Sequence, residues 1–165
     1  MNTDNFIIKI NDLKILKTEL NFKINEEFFN TFNYKDIDEC DINVKMSSIF
    51  ELNKFNLSFN IKGNLKTPCD SCGEDLVLKL EFTDKRLIVI SDEKQSNEII
   101  FLPFHENVID ISHMIYEMIV LFIPVKRSHI LDGNDCNKEI LNQINKKNKL
   151  IDDRWSSLKK VNIKI

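Results

Sequence analysis

Cys69 and Cys72 are two residues apart and followed directly by Gly73, in the run Thr67-Pro68-Cys69-Asp70-Ser71-Cys72-Gly73-Glu74. That spacing lets both thiolates point at one metal ion from a single tight turn. Glycine after the second cysteine permits a positive φ, which turns backbone amides toward the sulfurs. A zinc knuckle has this form, but it supplies only two of the four ligands of a structural zinc. The remaining donors of suitable type lie far along the chain, His129 and Cys136, within Lys126-Arg127-Ser128-His129-Ile130-Leu131-Asp132-Gly133-Asn134-Asp135-Cys136. The set Cys69, Cys72, His129 and Cys136 predicts a closed, structural zinc site that ties the end of the chain back to its middle. A disulfide or a redox-active pair has the same Cys-x-x-Cys spacing. Redox pairs usually open a helix after a strand in a βαβ unit, whereas strand-like sequence flanks this pair on both sides.

The 165 residues are 42% apolar and 30% charged, which predicts one soluble globular domain with a real core. No apolar run approaches the roughly 18 residues needed to span a membrane. The start, Met1-Asn2-Thr3-Asp4-Asn5, lacks the pattern of a secretion signal. The expectation is a cytoplasmic protein without membrane contact, where paired cysteines favour metal over disulfide. Net charge is −3, unevenly placed: residues 126–165 carry ten basic and five acidic side chains, leaving −8 on residues 1–125. This divides the chain into a strand-rich body (1–125) and a basic C-terminal segment (126–165). Lys126, Arg127, Lys146, Lys147, Lys149, Arg154, Lys159 and Lys160 are the candidate contacts to RNA or another partner. A solvated lysine-rich end is the plain alternative.

The elements that position these residues follow from periodicity. Phe6–Ile10 and Lys14–Ile24 read as strands, with a short helix after Ile24. Cys40, Ile42, Val44 and Met46 alternate with polar neighbours, as do Phe55, Leu57, Phe59 and Ile61, and then Leu76, Leu78, Leu80 and Phe82 alternate with Val77, Lys79, Glu81 and Thr83. Cys40 falls on an apolar face and reads as a small core residue. Gly63-Asn64 predicts a bend or bulge before the knuckle. Leu87–Ile90 continues the preceding strand or starts another, Ser91–Asn97 is a polar loop, and Ile99–Leu102 is a short strand stopped by Pro103. Asp110–Ile123 reads as one helix, capped by Asp110 or Ser112 and ended by Pro124. A short helix over Asn137–Asn145, a basic loop over Lys146–Lys149 and a last short helix opened by Asp152 or Asp153 complete the chain, with Trp155 and Leu158 on one face. The predicted fold is α+β: a mainly antiparallel sheet, curled toward a barrel, with the Asp110–Ile123 helix packed on it.

Three glycines and three histidines, no phosphate-binding glycine loop and no Ser/His/Asp arrangement leave little material for an active site. Paired carboxylates have no sequence signature, so acid/base chemistry stays open on the residues alone.

Gly63, the Cys69-x-x-Cys72 pair, Ile109-Asp110-Ile111, Glu117, Ile123-Pro124, Cys136 and Asp152-Asp153-Arg154-Trp155-x-x-Leu158 occur in an order that resembles the YceD family, most strongly over residues 63–158. The late segment, with one histidine and one cysteine, is similar to one branch of it; other members carry more cysteines there. The resemblance implies a non-enzymatic role in ribosome assembly, supporting accumulation or processing of large-subunit (23S) ribosomal RNA. Its implied partners are that RNA, the pre-50S particle or a ribosome-assembly protein, with no small-molecule substrate. A zinc-stabilised protein-binding adaptor without RNA contact is the alternative, favoured by the acidic body.

Overall fold

The structure, a computed structural model, describes residues 6–14, 18–92 and 99–148. In chain order the elements are β1 (Ile7–Lys9), α1 (Ile10–Leu13), β2 (Thr18–Ile24), α2 (Glu26–Thr31), β3 (Glu39–Glu51), β4 (Lys54–Pro68), β5 (Asp75–Ile90), β6 (Ile100–Leu102), β7 (Val108–Asp110) and α3 (Ser112–Phe122). A 3-10 turn (His129–Asp132) and α4 (Lys138–Asn148) follow.

Period-two alternation builds the three long strands, because each buries one face only. The main sheet has the order β2-β3-β4-β5-β6 and is antiparallel except for the β5–β6 pair, which is parallel. It does not close into a barrel, contrary to the curled sheet expected: β2 and β6 stand at opposite edges. β6 offers only three paired residues. A second, two-stranded sheet pairs β1 with β7 and holds the beginning of the described chain against the entry to α3.

The inward face forms the core with Ile42, Val44, Met46, Phe55, Phe59, Ile61, Leu65, Leu76 and Leu80, and α1, α2 and α3 contribute Leu13, Phe29 and Ile115. In α3, Met114, Ile115, Met118 and Ile119 are buried at helical spacing, and Phe122 stacks on Phe82 of β5 with centroids 4.1 Å apart. The helix has 11 residues, shorter at both ends than the sequence predicts. The Asp110 carboxylate accepts the Ser112 N–H at 2.8 Å, and Ile123 is extended, as the residue before Pro124 should be.

Gly63 is not a bulge. It lies inside unbroken pairing, opposite Ile42 on one side and Leu80 on the other. A Cβ there would sit 2.2 Å from the Asp41 carbonyl oxygen, so the glycine is required by close backbone approach. Leu87–Ile90 continues β5 without a break. Lys146 lies in α4, so that helix extends into the stretch read as a basic loop. The last short helix, Trp155 and Leu158 lie outside the described residues.

Candidate metal centre

Residues 69–74 join β4 to β5 at one end of the sheet. The Cys69 N–H donates to the Glu74 carbonyl and the Gly73 N–H to the Cys69 carbonyl, both at 2.8 Å. Gly73 has φ +76°, the positive value predicted for the residue after the second cysteine. The second half of the site comes from the chain beyond α3. There the 3-10 turn closes with hydrogen bonds from Leu131 N–H to the Ser128 carbonyl and from Asn134 N–H to the His129 carbonyl, and Gly133 terminates it at φ +82°. This turn places His129, 8% exposed, beside Cys69 and Cys72, 2% and 6% exposed; Cys136 is half-buried.

One donor atom from each of Cys69, Cys72, His129 and Cys136 lies within 4.8 Å of the other three. Cys69 Sγ is 3.7 Å from Cys136 Sγ, and Cys72 Sγ is 3.4 Å from His129 Nδ1. A tetrahedron with metal–sulfur and metal–nitrogen bonds of zinc length has S···S edges of about 3.8 Å and S···N edges of about 3.6 Å. Both short separations match those edges, so the set fits a zinc ion after small closure of its longest spacing. His129 Nε2 is 3.0 Å from the Asp75 carbonyl oxygen. A proton on Nε2 donated to that carbonyl leaves Nδ1 as the lone-pair nitrogen facing the sulfurs, the arrangement in which a second partner fixes the tautomer of a ligating histidine.

The electrostatics of the thiols differ by position. Burial by itself raises the Cys69 thiol, but the backbone N–H groups of Cys72, Ser71 and His129, with the Cys72 side chain, outweigh it and bring the pKa down to about 6. The Cys136 thiol is raised, first by burial and then by the neighbouring Cys69 and Cys72 sulfurs, against a lowering contribution from the His129 N–H. Cys40 lies outside the cluster, half-buried, with its Sγ 3.7 Å from the Ile24 carbonyl oxygen. Burial, with Glu26 and Asp41 nearby, pushes it to about 12.

A polar clasp holds the two halves together. The Arg127 N–H donates to Asp70 Oδ2 at 2.7 Å, its Nη2 donates to Asp70 Oδ1 at 3.1 Å, and its own carbonyl accepts the Asp70 N–H at 2.8 Å. Arg127 Nη1 also donates to Thr67 Oγ1 at 3.0 Å and to Asp36 Oδ2 at 3.3 Å. The Arg127 side chain is 17% exposed, so its guanidinium is committed within the fold, whereas Lys126 and Lys146 are exposed. Lys147 lies in α4; Lys149, Arg154, Lys159 and Lys160 fall outside the described residues. Asn137 adds a third tie, donating from Nδ2 to Glu74 Oε1 at 2.7 Å while its Oδ1 accepts the Glu139 N–H at 3.0 Å at the start of α4.

Sequence reasoning missed Asp36, Asp70, Thr67 and the Asp75 carbonyl as supports of the site. Asp70 sits between the cysteines, but nothing local marks Arg127 as its partner. Elsewhere His113 Nδ1 is 3.2 Å from Glu117 Oε1 on the exposed side of α3, away from the cluster, and among the described residues no helix is long and apolar enough to cross a membrane.

Residues 57–162 match the family described as large ribosomal RNA subunit accumulation protein YceD. No curated protein and no solved structure matches the chain. The family match spans more than half of the sequence, from β4 through both halves of the cluster, and the chain belongs to that family.

Proposed function

We propose that this YceD-family chain is a non-enzymatic ribosome-biogenesis factor that supports accumulation or processing of 23S ribosomal RNA and assembly of the large subunit. The family match carries this reading, since the family's description names large ribosomal RNA subunit accumulation. Within that role, Cys69, Cys72, His129 and Cys136 hold one structural zinc ion. Four protein ligands leave no open coordination position for water, so the ion acts as folding energy and not as a catalyst. It joins a body of residues 1–125 to a basic segment of residues 126–165, whose Lys126, Lys146, Lys147, Lys149, Arg154, Lys159 and Lys160 are the proposed contacts to a partner. The partner is large-subunit RNA, a pre-50S particle or an assembly protein in the cytoplasm. Depletion should lower large-subunit RNA relative to small-subunit RNA; unchanged subunit profiles in a depleted strain would refute the role. Native mass spectrometry of the purified chain should show one zinc per molecule, lost in Cys72→Ser.

A second reading is a zinc-stabilised protein adaptor without RNA contact. One observation favours it: Arg127 is taken up by Asp36, Asp70 and Thr67 and is removed from the basic patch. Partners captured by the tagged protein before and after ribonuclease treatment separate the two.

A further inference from the structure

Among the described residues, no layer covers the outward face of the main sheet. Registers across β2, β3, β4 and β5 set its side chains in cross-strand rows. One row is Lys23–Asn43–Lys62–Glu81, the next Asn21–Lys45–Asn60–Thr83, and the third Glu19–Ser47–Ser58–Lys85. These twelve positions hold four lysines, two carboxylates, three amides and three hydroxyls. Solvated faces of antiparallel sheets are ordinary, but the charge on this one is unlike that of the rest of the body. The outward positions of β2–β5 carry seven of the thirteen basic side chains of residues 1–125 and only six of the twenty-one acidic ones. The acidic excess of the body therefore lies off this face, which carries no net negative charge to repel phosphate. Lys62 is paired with Glu81 at 2.7 Å, but Lys23, Lys45 and Lys85 make no ion pair among the described residues.

We propose that this face binds a base-paired segment of RNA by its shape. The inference rests on the ribosomal reading above for the choice of RNA as the polyanion; the form of the RNA follows from the surface. No aromatic side chain stands in the three rows, since Phe22, Phe50, Phe55, Phe59 and Phe82 all belong to the core or pack against it. Stacking platforms are what single-stranded segments require. Four strands span about 14 Å at roughly 4.8 Å per interval. That width is too great for the deep, narrow major groove of A-form RNA and suited to its wide, shallow minor groove. Asparagine, serine and threonine both donate and accept, as does the 2′-hydroxyl displayed there. Two shallow depressions, at Asn21, Lys45 and Asn60 and at Asn56, Ser58 and Lys85, give the face relief.

The test uses the full zinc-loaded chain with a 20-base-pair RNA duplex of arbitrary sequence, the DNA duplex of the same sequence and one RNA strand alone. The RNA duplex should bind tightest. The triple variant Lys23→Glu, Lys45→Glu, Lys85→Glu should melt like the parent, lose at least tenfold in duplex affinity and flatten the salt dependence by about 2 to 3 in slope, since each phosphate contact contributes roughly 0.9. Asn43→Ala with Asn60→Ala should narrow the preference for RNA over DNA without changing that slope. Lys9→Glu with Lys35→Glu, two exposed lysines outside the three rows, should leave duplex affinity within about twofold of the parent, well short of the tenfold loss that removal of several phosphate contacts brings. A folded triple variant with parental affinity, equal binding of the single strand, or an equal loss in the Lys9/Lys35 variant would each overturn the proposal. If the triple variant behaves as expected while depletion leaves subunit ratios unchanged, the surface stands and the ribosomal role falls. If depletion lowers large-subunit RNA and the triple variant restores it fully, the role stands and the surface falls.

Discussion

The two ends of the long β3–β4–β5 ribbon are built on opposite principles. At one end, β3 turns into β4 through Leu52 and Asn53, with φ +49° and +59°, the two positive values of a two-residue hairpin turn that matches strand twist. Its pairing begins at once with Glu51 opposite Lys54, and the Ile90 N–H donates to the Asn53 carbonyl at 2.9 Å. At the other end, β4 passes into β5 through the knuckle, whose side chains meet partners 57 to 67 residues away in sequence. The tip needs only turn geometry. The knuckle needs the distant chain and, on the proposed reading, a metal ion. Local turn chemistry and long-range polar convergence thus hold the two ends of the same strands, and they should fail separately.

The largest effect separates them outright. Removing the metal, by strong chelation or by Cys72→Ser, should cost the knuckle end on the order of 10 kcal/mol of binding free energy, as in structural zinc sites. Amide exchange should then accelerate across residues 127–137 while Val44, Phe59 and Ile61 stay protected. Equal loss of protection at both ends would break the distinction. The ion should also bind more weakly as pH falls, because ligation takes up thiolates and the raised Cys136 thiol must give up a proton. In metal-free protein, one thiolate should appear near pH 6 by its ultraviolet absorbance and vanish in Cys69→Ser.

Next is the clasp. Arg127→Ala removes charge-assisted bonds to Asp70, Asp36 and Thr67 and should lower stability by about 2 kcal/mol, measured by denaturant midpoint with zinc present. Asp70 titrates below the usual carboxylate range, chiefly because the Arg127 backbone N–H and guanidinium bind its ionised form. A depressed pKa contributes stability that is fully present above the unfolded value of about 3.9 and lost as pH falls through the folded value. Asp70→Asn should therefore reduce the acid-side slope of stability, with the tip's exchange rates unchanged. The smallest effect belongs to the tip. Leu52 is 92% exposed and holds a left-handed conformation that branched side chains disfavour. Leu52→Gly should stabilise by about 0.5–1 kcal/mol with no change in metal affinity.

The same contrast explains what could be read from the sequence. Strands with one buried face announce themselves through alternation, so the paths of β3, β4 and β5 and the inward sets from Ile42 to Leu80 were legible. The four donor residues were legible as types at suggestive spacing, because cysteine and histidine carry few competing roles. Arg127 was legible only as a charge, since its acidic partners lie 57 and 91 residues away and periodicity carries no such pairing. The parallel placement of β6 and the pairing of β1 with β7 were hidden for the same reason: three-residue strands draw their stability from neighbours, not from a pattern of their own. Gly63 misled because a strand glycine signals either a bulge or close backbone approach, and the sequence does not say which.

Gly63 has a bearing on which changes of length the chain can tolerate. Inserting one residue within β4 would exchange inward and outward side chains beyond that point, sending lysine and asparagine into the core. A slip of two preserves the faces, and alternation alone does not detect it. It would, however, bring a side chain to the place where Gly63 passes the Asp41 carbonyl, with no room even for a methyl group. Odd errors are rejected by the core and even ones by this single notch. The register of β4 against β3 is thereby fixed at one value.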